Sequence, residues 1–181
     1  MSLPASAEPA KLVIGVFTAE HELIAPVAYR LTEKFGGIDL ASRWLRFDYT
    51  DYYEPEMGSG LVRRMMAFKP LVSQDALAGI KHETNAIENE FAAGEKRRVN
   101  IDPGYLLRER FVLATAKNFS HRIYIGRGIY ADLTLVYSKG NFRTLPWTYP
   151  DYAAEDMLGF LHKVRSKYVF DLKSLKDGSY D

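Results

Sequence analysis

Residues 48–57 hold four carboxylates (Asp48, Asp51, Glu54, Glu56) and three tyrosines in a ten-residue stretch. Hard divalent cations take oxygen ligands, so the stretch reads as a site for Mg2+ or Mn2+. It is not an EF-hand, because the D-x-[DN]-x-[DN]-G spacing and its closing glutamate are absent. The competing reading is a solvated acidic loop whose tyrosines pack over a sheet end.

A second group is Lys117, His121, Arg122 and Tyr124. A lysine, a histidine and an arginine within six residues can hold a phosphate or carboxylate. His121 is the candidate acid–base, since imidazole titrates near neutrality. The alternative is a helix C-terminus, where Lys117 and Arg122 complement the dipole. Arg97 and Asn100 are further candidate ligand contacts. A third group, residues 146–152 (PWTYPDY), locks aromatics between prolines. Trp147 and Tyr149 then either stack on a base or sugar or plug the end of a sheet. His21, His82 and His162 show no metalloprotease spacing, and there is no G-x-x-x-x-G-K-[ST] loop, dinucleotide fingerprint or G-x-S-x-G elbow.

Composition bounds what these groups can belong to. The chain has 181 residues, 47% hydrophobic and 26% charged, which suits an ordinary folded domain. Lys plus Arg (24) nearly balance Asp plus Glu (23), so no global field draws the chain to DNA, RNA or an anionic membrane. The absence of cysteine excludes disulfides, thiolate metal sites and cysteine nucleophiles. No apolar run reaches the roughly 20 residues of a spanning helix, and no signal-peptide pattern opens the chain; the expected address is the cytoplasm.

The elements that must position these residues follow from periodicity. Residues 11–17 (KLVIGVF) read as a buried strand. Pro26 suits a first helical turn, Val27, Leu31 and Phe35 recur at helical spacing, and Gly36-Gly37 is a stop. Residues 44–49 and 61–69 read as strands, although the Leu, Arg and Met of 61–69 also suit a helix. Ser73 begins a helix carrying Leu77, Ile80, Thr84, Ile87 and Phe91, and residues 96–101 form a strand ended by Asp102-Pro103-Gly104. The expected class is α+β: a ferredoxin-like β-α-β-β-α-β half, then a helix over residues 106–117 (although Phe111-Val112-Leu113 alone would suit a strand), a three-stranded antiparallel meander (122–125, 129–137, 142–145) and a C-terminal helix. One domain is expected over residues 11–170, with flexible ends at 1–10 and 171–181.

In that half, Asp48, Asp51, Arg63, Arg64, Asn100 and Asp102 share one sheet edge. Asp48 and Asp102 fall on the order of 14 Å apart across the sheet, too far for one metal unless the loop folds back. Asp102, before a proline, reads as a cap or turn opener. Missing from the third strand is the aromatic signature with which such sheets bind RNA.

Five stretches carry a resemblance: FDYTDYYE with EMG (47–58), RVNIDPGY (98–105), LATAK (113–117), HRIY (121–124) and WTYPDY (147–152). Together they resemble a prokaryotic family known as domain of unknown function 4416, over about residues 10–170. The resemblance implies a single domain and supplies no activity or residue role. The residues themselves point to binding of a small anionic ligand, a nucleotide or phosphorylated metabolite, with a divalent cation. Metal-assisted hydrolysis or phosphoryl transfer is the matching reaction class. The alternative is a non-catalytic module for a protein or RNA partner. Neither reading decides whether the chain is an enzyme, and oligomeric state is not legible.

Overall fold

The computed structural model describes residues 3–47, 54–94 and 96–177. Residues 48–53 of the acidic stretch, with Asp48 and Asp51, lie outside the described residues. Strand β1 (Ala10–Thr18) is buried along its whole length, which is why its sequence from Leu12 to Phe17 is continuously apolar rather than alternating. Leu12, Ile14 and Val16 belong to a core with Val27 and Leu31 of α1 (Ile24–Phe35) and Ile80 and Ile87 of α3 (Leu77–Glu90). Val13 belongs to a second core with Leu161, Val164 and Tyr168 of α5 (Glu155–Lys176).

The remaining strands are β2 (Ile38–Ala41), β3 (Leu45–Arg46), β4 (Val62–Val72), β5 (Asn100–Leu106), β6 (Arg110–Thr115), β7 (Arg122–Gly126), β8 (Ile129–Ser138) and β9 (Asn141–Thr144). They form one nine-stranded sheet in the order β2-β4-β1-β5-β6-β8-β7, with β3 added to β4 and β9 to β8. Every pairing is antiparallel. Two short helices, α2 (Glu54–Met57) and α4 (Pro150–Ala153), lie in the connections. The class is mixed α+β.

Several elements differ from the sequence expectation. The helix expected over residues 106–117 is instead the β5–β6 hairpin, closed by Leu107 N–H donating to the Arg110 carbonyl at 2.9 Å. Phe111, Val112, Leu113 and Ala114 are all buried, because β6 lies inside the sheet; a strand covered on both faces loses the alternation that marks strands. Residues 62–69, by contrast, lie in β4 as the strand reading of 61–69 expected. Of the strand expected over 44–49, Leu45–Arg46 is strand among the described residues, residues 48 and 49 lie outside them, and β2 precedes it.

Asp102-Pro103-Gly104 does not end a strand, and Asp102 neither caps nor opens a turn: all three lie inside β5. β6 pairs with β5 only from Gly104 onward, so Pro103 sits where β5 has one neighbour and a missing N–H is tolerated. At Gly104 a Cβ would come within 2.4 Å of the Val112 carbonyl oxygen, so the close approach of β6 requires glycine. Helix α5 runs to Lys176, with Asp171 and Leu172 buried. Before β1, Pro9 is tied down by the Tyr168 hydroxyl, which donates to its carbonyl at 2.7 Å.

Candidate functional site

The second and third groups read from the sequence meet at one residue, Asp132 of β8. Its Oδ2 accepts Nε of Arg122 at 2.8 Å and lies 3.2 Å from Nε2 of His121. Arg122 also donates to the Tyr149 hydroxyl at 3.1 Å and to the Lys117 carbonyl at 3.0 Å. The His121 ring stacks on Trp147, with centroids 4.8 Å apart and planes at 11°.

The geometry has a local cause. β7 pairs with Ile129–Asp132 of β8, and β9 with Leu135–Ser138, leaving Leu133 and Thr134 between them on that side. The register with β6 slips at Thr134, a one-residue bulge. The loop after β9 fills the gap: Trp147 Nε1–H donates to the Leu133 carbonyl at 2.8 Å, and the Thr148 hydroxyl to the Thr134 carbonyl at 2.6 Å. Trp147 thus satisfies backbone while it packs against the histidine.

A second polar chain runs across β5 and β4. Glu56 holds Arg97 with both oxygens, at 2.8 and 2.6 Å, and this bond keeps its carboxyl below the usual range. Arg97 donates to Asn100 at 2.9 Å, Asn100 to Asp102 at 2.9 Å, and Asp102 lies 3.7 Å from Arg63. Arg63 ends the chain in an ion pair with Asp151. Its side chain is only 3% exposed and is caged by Phe47, Tyr152 and Phe17, at 4.4, 5.0 and 5.1 Å from the ring centroids. Burial opposes the Arg63 charge, but Tyr152, Asp151 and Asp102 hold its pKa above the ordinary value.

Asp151 opens onto a cleft of about 630 Å3. One wall is Arg43, Trp44, Leu45 and Arg46; the other is the start of α5, from Ala154 to Met157, with Arg63 between them. Arg43 pairs with Asp156 across it. Behind, Trp44 stacks on His21 at 4.9 Å and lies under Arg64 at 5.0 Å. The turn at residues 149–152 joins the two polar clusters, since Tyr149 meets Arg122 and Asp151 meets Arg63.

The structure therefore brings His121, Arg122, Tyr149, Trp147 and the Lys117 carbonyl together, and separately Arg97, Asn100 and Glu56. The candidate metal ligand Glu56 and the candidate anion contact Arg97 neutralise one another, which answers both charges within the fold. Tyr124 is exposed further along β7, where its hydroxyl accepts Gly128 N–H at 3.3 Å. Among the described residues no group of three or more His, Asp or Glu is placed to hold a metal ion. Asp132, Arg43 and Arg46 lie outside the groups read from the sequence, while Arg63 of the expected sheet edge and Asp151 of the third group meet as an ion pair. The hairpin turn at Gly126-Arg127-Gly128 was the signal that β8 runs back beside His121 and Arg122.

A family model described as a domain of unknown function (DUF4416) matches residues 8–168. No curated protein and no solved structure matches the chain.

Proposed function

This chain belongs to the DUF4416 family, and we propose that it binds a small anionic ligand, a nucleotide or phosphorylated metabolite, together with a divalent cation. The observation that carries the reading is the cleft of about 630 Å3, a volume usual for small-molecule sites, whose lining sets Arg43, Arg46 and Arg63 beside Asp151, Glu155 and Asp156. Arginine forks suit phosphate and carboxylate oxygens. Phe47, packed on Arg63, leads directly into the acidic stretch, so Asp48, Asp51 and Glu54 are joined to the cleft by chain connectivity. These three are the proposed ligands of Mg2+ or Mn2+; Glu56 is left out because Arg97 takes both its oxygens. The reaction class that suits such a pair is metal-assisted hydrolysis or phosphoryl transfer, with His121, oriented by Asp132, as acid–base.

We read β1, α1, β2, β4, α3 and β5 as a ferredoxin-like unit, supported by the order β2-β4-β1-β5 with antiparallel neighbours. The proposed setting is a prokaryotic cytoplasm; no helix among the described residues is long and apolar enough to cross a membrane.

The test is a thermal-shift and calorimetric screen of chelator-treated protein with Mg2+ or Mn2+, with and without nucleotides and sugar phosphates. Saturating ligand at 100 times its dissociation constant adds about 2.7 kcal/mol, a shift of a few degrees. Asp51→Ala is expected to abolish the metal dependence, and Arg46→Ala to weaken ligand binding. A flat screen overturns the reading.

One observation favours a second reading, a non-catalytic interaction module. Ile123 and Tyr124 of β7 are 71% and 59% exposed and Phe119, in the connection before it, 64%, and β7 has one neighbouring strand among the described residues. A flat ligand screen together with concentration-dependent sedimentation that Ile123→Lys abolishes would decide for it.

A further inference from the structure

The cleft is lined by three arginines and three carboxylates, and the fold matches four of these charges itself. Arg63 and Asp151 form an ion pair whose side chains are 3% and 9% exposed, with Asp102 also 3.7 Å from Arg63. That pair is packed against Phe17, Phe47 and Tyr152 and leaves no charge over for a ligand. Arg43 and Asp156 pair with each other across the opening. Arg46 and Glu155 are left. Both are exposed, they stand on opposite walls, and neither joins an ion pair among the described residues.

The two walls keep their spacing because they share a core. β3 pairs with β4, Leu45 opposite Arg63 and Arg46 opposite Val62. Leu45 lies in one buried cluster with Met157 and Leu161 of α5. Leu45 and Met157 also line the cleft and are buried, so its floor is apolar. An unmatched cation and an unmatched anion therefore stand on opposite sides of an apolar floor.

We propose that the ligand of this cleft is a zwitterion: a phosphorylated metabolite that also carries an ammonium group, its phosphate on Arg46 and its ammonium on Glu155. This rests on the reading of the cleft as a ligand site and names the class of ligand within it. A guanidinium fork meets two phosphate oxygens, and a carboxylate accepts from an ammonium. A ligand with negative charge alone pairs with Arg46 but leaves Glu155 opposing it from the other wall. Selection then comes from that repulsion as much as from the attraction. A short carbon body between the two charged groups suits the apolar floor.

The experiment titrates the full chain by calorimetry with ligand pairs that differ at the amine alone: phosphoethanolamine against ethyl phosphate, and glucosamine 6-phosphate against glucose 6-phosphate. The amine-bearing member is expected to bind about fivefold more tightly, the upper range for an ion pair in contact with water. The preference shrinks as salt is raised. Glu155→Gln is expected to bring both members to equal affinity. Arg46→Gln is expected to weaken both in parallel and to keep the preference. Both residues are exposed, so a melting temperature near the parent's is expected for each variant.

If the parent binds both members equally, or Glu155→Gln keeps the preference, while Arg46→Gln still weakens both, the zwitterion is wrong and the cleft reading stands. The same follows if Mg2+ lifts ethyl phosphate to the affinity of phosphoethanolamine in the parent but not in Glu155→Gln, since the cation on Glu155 is then a metal. It follows too if neither pair binds but a nucleotide shift sensitive to Arg46→Gln remains. If neither Arg46→Gln nor Glu155→Gln alters any binding, both fall.

Discussion

Nε2 of His121 lies 3.2 Å from Oδ2 of Asp132, and that same oxygen accepts Nε of Arg122 at 2.8 Å. One buried carboxylate thus serves two neighbouring basic side chains. Burial works against the Arg122 charge, yet Asp132 and Tyr149 hold its pKa above the ordinary value. Asp132 is therefore neutralised by Arg122 whatever the state of His121, and what it gives the histidine is orientation. A neutral ring that keeps this bond carries its proton on Nε2 and leaves Nδ1 as the base.

Asp132→Ala is expected to cost about 3 kcal/mol or more, because it leaves a buried arginine without its carboxylate. Trp147, stacked on His121, reports the change through its fluorescence. Asp132→Asn keeps an acceptor and is expected to lose less. Urea unfolding of the two variants checks the order; an Asp132→Ala protein as stable as its parent would refute it.

Lys11, fully buried in β1, lies 2.6 Å from Asp39 and 2.9 Å from Asp171, and Lys167 completes the cluster on Asp171. Burial pushes the Asp171 carboxyl up, but hydrogen bonds from Lys167 and Lys11 outweigh it and hold the pKa below the ordinary 3.8. Such a depressed carboxyl contributes stability above its unfolded value, lost as pH falls through the folded one. Lys11→Met leaves two acids to one lysine and is expected to cost about 3 kcal/mol near neutrality. The variant also loses less on further acidification, since less depression remains. Unfolding midpoints across the acid range measure both effects.

The residues that meet at Asp132 were partly legible. The turn at Gly126-Arg127-Gly128 announced the β7–β8 hairpin, and Arg127 takes the positive φ (56°) that such a turn needs. A regular two-residue hairpin pairing Gly126 with Ile129 would set Arg122 opposite Leu133. The register slips between Tyr124 and Gly126, and Arg122 faces Asp132 instead. A one-residue bulge leaves no mark in composition or periodicity, so the central pair of the cluster was hidden although both its strands were expected. β6 was hidden for the opposite reason: covered on both faces, it shows an apolar run that a helix would also show. The cleft draws Arg43, Arg63 and Asp151 from three distant segments, a juxtaposition that no local pattern encodes.

Gly104→Ala tests how tightly β5 and β6 are joined. The added methyl would come within 2.4 Å of the Val112 carbonyl oxygen and 3.0 Å of Leu113 Cδ2. The first obstacle is backbone and cannot swing aside, so the strands must part. A loss of about 1–3 kcal/mol is expected, as for overpacking elsewhere, with faster exchange of the β5–β6 amides. Unchanged exchange would mean that the hairpin yields without cost.

Glu88 of α3 gives the fold a pH dependence of the opposite sign to that of Asp171. Its carboxylate is buried, accepts Ile101 N–H at 2.6 Å and lies 3.9 Å from Lys81, which itself donates to the Ile101 carbonyl at 2.8 Å. Burial outweighs Lys81 and the Ile101 N–H, and the pKa is raised above the ordinary 4.5. Between the unfolded and folded values the native state binds more protons, so stability falls as pH rises through that window. Glu88→Gln keeps an oxygen for Ile101 N–H and cannot ionise. The variant is therefore expected to match its parent near about pH 4 and to exceed it near about pH 8, measured as urea midpoints. If the variant is instead weaker by the same amount at both ends, the carboxylate's pairing with Lys81 outweighs its desolvation and the inferred sign is wrong.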